Sequence, residues 1–195
     1  AEMFDVLEIS SDADRPIDLL VNNAGFGTSG SFHELDIDRL ADEIELNVAA
    51  LTRLSHAALA AMITRRRGWL LNVSSVASFQ PAPRLAVYAA TKAYVTSLTE
   101  SLHEEATPHG VHVTALCPGL TKTEFQRVSN TEQYADKFPG VAWTSVDQVA
   151  RAGLDGVAAG KAVIVPGLQY QAMSLLTNSL PRGVRRWASA RVQRA

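Results

Sequence analysis

The stretch VNNAGFGTSG, residues 21–30, follows an apolar run at 17–21 that is typical of a buried strand. Its last six residues match G-x-G-x-x-G, the spacing of a dinucleotide-binding turn. In that turn a helix begins inside the glycine run, and an acidic residue follows about 20 positions later at the tip of the next strand. Here the next helical pattern begins only near Asp36, and Glu43 and Glu45 fall inside it. The glycine spacing therefore matches a dinucleotide-binding turn, but the start of the helix and the positions of the acidic residues do not.

A different interpretation starts from Asn22-Asn23-Ala24-Gly25, which ends the predicted strand at 17–22. Open α/β sheets bind ligands at the carboxyl ends of their strands. Asparagine side chains there would tie a neighbouring strand end together through hydrogen bonds to its backbone. Ala24 and Gly25 are small, so a ligand would approach the backbone closely. The four residues therefore predict a ligand-contacting strand end.

Strands and helices are predicted to alternate along the rest of the chain. Continuous apolar runs indicate strands, and apolar residues spaced by three and four indicate helices. The predicted strands are 17–22, 69–73, 111–117 and 162–165, and the predicted helices are 36–64, 88–107 and 145–160. This alternation favours an α/β fold whose parallel sheet is doubly wound, with helices covering both faces.

The boundaries of two helices have specific signals. The apolar face predicted for the long helix comprises Leu40, Ile44, Val48, Leu51, Leu54, Leu59 and Met62. The run Arg65-Arg66-Arg67-Gly68 is predicted to end that helix, with cations in its last turn and a glycine stop. The run Ser145-Val146-Asp147-Gln148 is predicted to open the last helix as a capping box.

Composition limits the classes of protein that fit. The chain has 195 residues, 47% of them hydrophobic and 19% charged, so one domain with a buried core is expected. A net charge of −2 gives no reason to expect nucleic acid. Cys117 is the single cysteine, and the sequence predicts neither a basic-then-apolar leader nor an apolar run long enough to span a bilayer, so a cytoplasmic location is expected. The five histidines form no ligand set, and no metal site is expected.

Tyr88 and Lys92 place a phenol and an ammonium group at i and i+4 on one helical face, and Ser75 lies 13 residues before Tyr88 at the end of a predicted strand. A phenol has a pKa of about 10, and a nearby cation favours the phenolate. A serine hydroxyl would hold a carbonyl or alcohol oxygen beside the phenol. The three residues predict a general acid with its helpers; the alternative is an ordinary pair on a helix surface.

Asn47 falls close to the predicted buried face of the long helix. A buried amide must find hydrogen-bond partners. Partners reached through water would also give protons a route out of the site. The alternative is a plain asparagine in a helix interior.

Together these features resemble the short-chain dehydrogenase/reductase family, over essentially the whole chain. The resemblance rests on Asn22-Asn23-Ala24-Gly25, Asn47, Asn72-Val73-Ser74-Ser75, Tyr88-x-x-x-Lys92, and Pro118-Gly119 followed by Thr123. It implies one Rossmann-type domain and an NAD(P)-dependent oxidoreductase that interconverts a carbonyl and an alcohol. The alternative is a relative that binds a cofactor or regulates without turnover.

The resemblance also assigns roles. Tyr88 would be the acid/base, Ser75 would position the substrate oxygen, Lys92 would lower the pKa of Tyr88 and hold the nicotinamide ribose, and Asn47 would support a proton relay. The turn from Pro118 to Thr123 would hold the nicotinamide carboxamide. The residues expected at the cofactor are Asn22, Ala24, Gly25, Tyr88, Lys92, Pro118, Gly119, Thr121 and Thr123.

One departure from the family pattern is large. The family opens with a strand, a glycine-rich turn T-G-x-x-x-G-x-G, a helix and two further strands, and we expect that segment to precede residue 1. Residues 1–195 would then be an N-terminally incomplete domain, and the strand at 17–22 would form an apolar edge. The residues that distinguish NAD from NADP would lie in the same segment. The resemblance alone favours NADP.

Two further segments carry predictions. Residues 120–144 are long and irregular, and their aromatic residues Phe125, Tyr134, Phe138 and Trp143 would either cover an apolar substrate or pack the loop down. The basic tail at 175–195 interleaves arginines with apolar residues: Arg182, Arg185, Arg186, Arg191, Arg194, Leu176, Leu180, Val184 and Trp187. Packing on the domain or on a partner subunit is favoured over contact with an anionic membrane.

Association is expected through the helices at 37–64 and 88–106, which carry more apolar and small residues than one sheet contact uses. A symmetric pairing of these faces would give a homodimer or homotetramer. The resemblance points the same way. The alternative is a monomer whose tail folds over the same surface.

Overall fold

The computed structural model describes residues 16–131 and 138–192. The segment at 1–15, Tyr134 and Arg194 lie outside the described residues. The strands are β1 (Leu19–Asn22), β2 (Gly68–Val73), β3 (Val111–Leu116) and β4 (Val163–Ile164). The helices are α1 (Ile37–Ile44), α2 (Leu51–Thr64), α3 (Ala86–Ala106), α4 (Phe125–Val128), α5 (Val146–Ala158), α6 (Leu168–Ser179) and α7 (Arg182–Val192).

The four strands form one parallel sheet in the order β1-β2-β3-β4. On one face, α2 and α3 pack against β2 and β3 through a cluster that includes Met62, Leu70 and Val113. On the other face, Val157 of α5 packs against Leu71 and Leu116. Helices therefore cover both faces, and the predicted α/β fold with a flanked parallel sheet is confirmed.

Within the described part of the chain, β1 is an edge strand that pairs with β2 alone. Its side chains Leu19 and Val21 are 37% and 42% exposed. This apolar edge agrees with the expectation drawn for the strand at 17–22.

The long helix runs without interruption from Ile37 to Thr64, and Asp36 caps it by accepting a hydrogen bond from the Asp38 amide at 2.9 Å. Its predicted face is partly wrong. Ile44 is exposed, and Val48 and Leu54 are half-buried. The buried positions of the first half include Glu43 and Asn47, because there the helix packs on a polar loop rather than on the apolar sheet.

The end of this helix also differs from the prediction. Its last turn holds no cation, and Arg66 takes the left-handed conformation, with φ of 55°. Gly68 begins β2 instead of stopping the helix. A β-carbon on Gly68 would lie 2.3 Å from Met62 Cγ, so close packing is the reason for glycine here. At the last predicted helix, Ser145 accepts a hydrogen bond from the Gln148 amide at 3.2 Å, and its role as N-cap is confirmed.

By length and composition the helix from Ile37 to Thr64 is apolar enough to cross a membrane, which corrects the expectation that no such run exists. One such helix is a weak indication, because a core helix passes the same test. Here Leu59 and Met62 pack in the core on the sheet.

Candidate active site

A cavity of about 1070 Å³ lies at the carboxyl edge of the sheet. Eight of the predicted site residues line it: Gly25, Ser75, Tyr88, Lys92, Pro118, Gly119, Thr121 and Thr123. Asn22, Ala24 and Asn47 do not line it. The parallel sheet explains the convergence, since β1, β2 and β3 all end at this edge.

Tyr88 lies near the start of α3 with 9% of its surface exposed. Burial raises the pKa of Tyr88 to about 12, and the facing Ser75 hydroxyl opposes that rise. The ring packs against Gly27, where a β-carbon would lie 3.1 Å from Tyr88 Cδ2. On another side its centroid is 5.3 Å from that of Phe125. The phenol is thus held in a fixed place beside the serine.

Ser75 owes its position to the turn that follows β2. Its Oγ accepts a hydrogen bond from the Ala77 amide at 3.1 Å and caps the turn Val76–Phe79. The adjacent Ser74 points elsewhere, as the alternation along a strand predicts. Ser74 Oγ donates to the Lys92 carbonyl at 2.9 Å and fixes α3 against β2.

Lys92 is buried, and its ammonium group donates to the Val73 carbonyl at 2.8 Å. Its Nζ lies 5.8 Å from the centroid of the Tyr88 ring. Burial lowers the pKa of Lys92 to about 8. Lys92 is thus an ammonium group at neutral pH. The expected lowering of the Tyr88 pKa by Lys92 stays a prediction.

Asn47 lies in a π-helical turn, Glu45–Ala50, between α1 and α2. Its Nδ2 donates to the Phe26 carbonyl at 2.7 Å and to Thr91 Oγ1 at 3.2 Å, and its Oδ1 accepts from the Phe26 amide at 3.2 Å. Protein groups thus give the buried amide the hydrogen-bond partners that it was expected to need. Single π-helical turns are frequent at functional sites, and a role in proton relay stays a prediction.

Asn22 ties three elements together. Its Nδ2 donates to Asn72 Oδ1 at 2.8 Å and to Ser55 Oγ at 3.0 Å. Asn72 Nδ2 in turn donates to Thr99 Oγ1 at 3.0 Å. These buried side chains link β1, β2, α2 and α3, so the predicted tie between strand ends is made by side chains. Contact of Asn22 with a cofactor stays a prediction.

The turn after β3 is held by a hydrogen bond to the turn after β2 and by packing against α6. The Pro118 carbonyl accepts from the Val76 amide at 3.0 Å, and Thr123 Oγ1 accepts from the Phe125 amide at 3.1 Å. Tyr170 of α6 packs over Gly119, where a β-carbon would lie 2.1 Å from its ring. The Tyr170 hydroxyl accepts from the Leu120 amide at 3.0 Å and donates to the Ala142 carbonyl at 2.7 Å.

The aromatic residues described in the segment at 120–144 have two different environments. Phe125 and Phe138 line the cavity. Trp143 Nε1 instead donates to the Phe138 carbonyl at 3.4 Å. Ser129 is buried, and its Oγ accepts from the Gly27 amide at 2.8 Å, which ties the segment to the loop after β1.

Three residues of this region were not predicted from the sequence: Glu43, Ser129 and Tyr170. Glu43 had a usable signal, since it lies four residues before Asn47 and therefore shares its face. Ser129 and Tyr170 had none, because their partners lie 102 and 50 residues away along the chain. Among residues 16–131 and 138–192, no group of three or more His, Cys, Asp or Glu side chains is placed to hold a metal ion.

A family model described as short chain dehydrogenase matches residues 1–134. Acetoacetyl-CoA reductase of Paracoccus denitrificans is 31% identical over 140 residues, covering 70% of this chain and 58% of the relative. The 3-oxoacyl-[acyl-carrier-protein] reductase of Vibrio cholerae is 34% identical over 128 residues, covering 66% and 52%. The chain thus matches little more than half the length of these two relatives.

Among solved structures, a short-chain dehydrogenase from Sphingobium yanoikuyae in complex with NADPH aligns with a TM-score of 0.77 at 28% identity. The alignment covers 92% of this chain and 71% of that one. The chain therefore belongs to the short chain dehydrogenase family of oxidoreductases.

Proposed function

We propose that this protein is an NAD(P)-dependent oxidoreductase that interconverts a carbonyl compound and the corresponding alcohol, with Tyr88 as the general acid/base. The carrying observation is the convergence of Ser75, Tyr88 and Lys92 on one cavity at the carboxyl edge of the sheet. A buried phenol beside a hydroxyl and an ammonium group has the chemistry of a proton donor to an oxygen atom.

The residues present fit a nicotinamide cofactor. An ammonium group has three N–H donors, and the described residues show one of those of Lys92 bound to Val73, which leaves donors for ribose hydroxyls. Gly25 keeps the backbone open beside Lys92, since a β-carbon there would lie 3.5 Å from Lys92 Nζ and 2.8 Å from Asn47 Oδ1. When bound, the cofactor supplies or accepts the hydride.

The chain's own residues do the remaining work. Lys92 and Tyr88 would hold the ribose, and the turn from Pro118 to Thr123 would hold the carboxamide. In carbonyl reduction Ser75 donates a hydrogen bond to the substrate oxygen and Tyr88 gives it a proton. In alcohol oxidation the Tyr88 phenolate would take the proton from the alcohol and become the phenol. NADP is favoured over NAD, because the relative aligned above binds NADPH.

The substrate side of the cavity favours an apolar carbonyl compound. Phe125, Phe138 and Met173 contribute apolar surface to the cavity wall, and Phe125 lies against the Tyr88 ring. Such a wall excludes water and stabilises an apolar substrate by burying its surface. The segment at 120–144 would act as the substrate lid, because Phe125 lies directly against the Tyr88 ring.

The test is a fluorescence titration of the purified protein with NADPH and NADH, followed by a panel of aliphatic and aromatic carbonyl compounds. Saturable binding and loss of reduced cofactor on at least one apolar carbonyl are expected. Binding with no consumption on any compound would favour the alternative, a family member that binds the cofactor without turnover. We further propose a cytoplasmic location, to which the free and buried Cys117 is suited.

A further inference from the structure

Glu43 lies on α1, one helical turn before Asn47, and its side chain is wholly buried. Within the described residues, neither carboxylate oxygen has a hydrogen-bond partner of ordinary geometry, and the same holds for the Thr28 hydroxyl. Thr28 is near enough to favour the ionised carboxylate without reaching that geometry. Leu40 and Leu51 on this face are apolar and Asn47 is a neutral amide, so Glu43 is the ionisable side chain among them.

An ionisable group in such a place is costly unless other charges compensate it. Helix α1 packs against α3, which carries Tyr88 and Lys92. Two cations act on Glu43: Arg39 from its own helix and Lys92 from α3. The carboxylate thus interacts through charge with Lys92 across the packed helices α1 and α3.

The groups that act on Lys92 in turn are few. In the described part of the chain they are Glu43 and the thiol of Cys117. Burial raises the pKa of Cys117, so the thiol is neutral at neutral pH. The phenol of Tyr88 is neutral there as well. Glu43 is left as the group that can supply a negative charge to Lys92.

We propose that Glu43 is a positioning residue of this active site whose ionised carboxylate keeps Lys92 an ammonium group while Tyr88 holds its proton. The inference rests on the proposed function and deepens it. Glu43 acts through Lys92 and Tyr88 and does not line the cavity. By stabilising both protonated groups, it keeps the site ready to reduce a carbonyl compound up to a higher pH.

The direction of the effect is fixed by the charges. Burial raises the pKa of Glu43, and Thr28, Arg39 and Lys92 oppose that rise. Glu43 raises the pKa of Lys92 and that of Tyr88 alike. Removing its charge must therefore move both titrations to lower pH.

The test compares Glu43→Gln with the wild type and with Glu45→Gln, which removes an exposed carboxylate two residues away on the same helix. Within residues 1–195, lysine labelled with ¹³C at Cε gives signals from Lys92, Lys122, Lys137 and Lys161. Loss of a signal in Lys92→Arg assigns Lys92. Its midpoint is expected to fall by roughly one pH unit in Glu43→Gln, the order of shift that one neighbouring charge produces, and to stay in place in Glu45→Gln.

The same variants are compared in the pH dependence of carbonyl reduction. The fall of the rate at alkaline pH should begin at lower pH in Glu43→Gln, and Glu43→Asp, which keeps the charge, should restore the wild-type profile. Coincident Lys92 titrations in Glu43→Gln and the wild type would overturn the proposal. A shifted titration with no reduction of any carbonyl compound would sustain the charge pairing and contradict the proposed function.

If Glu43→Gln does not fold, the ionisation state of glutamate in the wild-type protein tests the proposal instead. Side-chain carboxyl resonances of ¹³C-labelled glutamate report whether every glutamate is ionised at neutral pH. Full ionisation supports the proposal. A buried glutamate that is still protonated at pH 7 overturns it.

Discussion

Lys92 and Tyr88 lose their protons in an order set by burial. An ammonium group in an apolar site loses its charge early, whereas a phenol there ionises late. The pKa values of about 8 for Lys92 and about 12 for Tyr88 follow that rule. At neutral pH both groups are therefore protonated, which is the state that carbonyl reduction requires.

The first prediction concerns this order. The pKa of Lys92 is lowered, so its charge is present below about pH 8 and is lost as the pH rises through that value. The kcat/KM for carbonyl reduction should fall above that pH, while Tyr88 is still protonated. Thermal unfolding across the same range controls for loss of structure. A rate that stays constant well above pH 8 would contradict the account.

The second prediction concerns Asn22. Replacing Asn22 by alanine leaves Asn72 Oδ1 and Ser55 Oγ without the donor that they share. An unsatisfied buried polar group costs about 1–3 kcal/mol, and the free energy of unfolding in urea should fall by that order. Asn23→Ala, at the exposed neighbouring residue, is the matched control. Equal stability of the two variants would show that the tie contributes nothing.

Between elements, the contact of the segment at 120–131 with the loop after β1 depends on few groups. Ser129 accepts from Gly27, and Arg39 of α1 donates to the Val128 carbonyl. The guanidinium of Arg39 also lies over the Phe26 ring, 5.0 Å from its centroid. These contacts hold Phe125 against Tyr88.

The third prediction removes one of them. Ser129→Ala leaves the buried Gly27 amide without its acceptor, so the segment should open more often. We expect faster proteolysis within 120–144 and a several-fold higher KM for an apolar carbonyl, since about 1 kcal/mol is a factor of five or so. Ser97→Ala, on the exposed side of α3, is the control. Unchanged proteolysis and KM would contradict a lid held by Ser129.

The sequence predicted the order of strands and helices because period and composition are local properties. The buried face of the long helix was wrong at Ile44 because apolar spacing reports contact with an apolar sheet. Here Glu43 and Asn47 face a polar loop instead. Ser75, Tyr88 and Lys92 were found because their spacing follows from one strand end and one helix turn. Ser129 and Tyr170 reach the site across the fold, and no local pattern marks them.

At the scale of the whole molecule, an apolar patch is exposed on the helices at 37–64 and 88–106, through which two subunits are proposed to associate. A shallow depression of about 370 Å³ is lined by apolar residues that include Ile44, Val48 and Tyr94. Ile44 and Tyr94 are 47% and 41% exposed. The described residues of α6 and α7 do not line it. Arg185 instead donates to the Phe79 carbonyl at 3.3 Å, so this contact ties the tail to the turn after β2.

The fourth prediction is a homodimer formed through this patch. Ile44→Asp places a charge in it and should reduce the mass found by light scattering at micromolar concentration to that of a monomer. Ile37→Asp changes an exposed isoleucine of the same helix outside the patch and should leave the dimer intact. Deleting residues 181–195 should also leave a dimer. A monomer mass for the wild type would refute the pairing.

The most direct measurement is the rate of reduced-cofactor consumption by Tyr88→Phe on a carbonyl compound that the wild type reduces. General acid catalysis contributes about 10²–10⁴-fold, so turnover should fall by that order while thermal unfolding stays the same. Tyr94→Phe removes an exposed hydroxyl from the same helix and should keep wild-type turnover. Comparable activity of Tyr88→Phe and the wild type would contradict the assignment of Tyr88 as the acid.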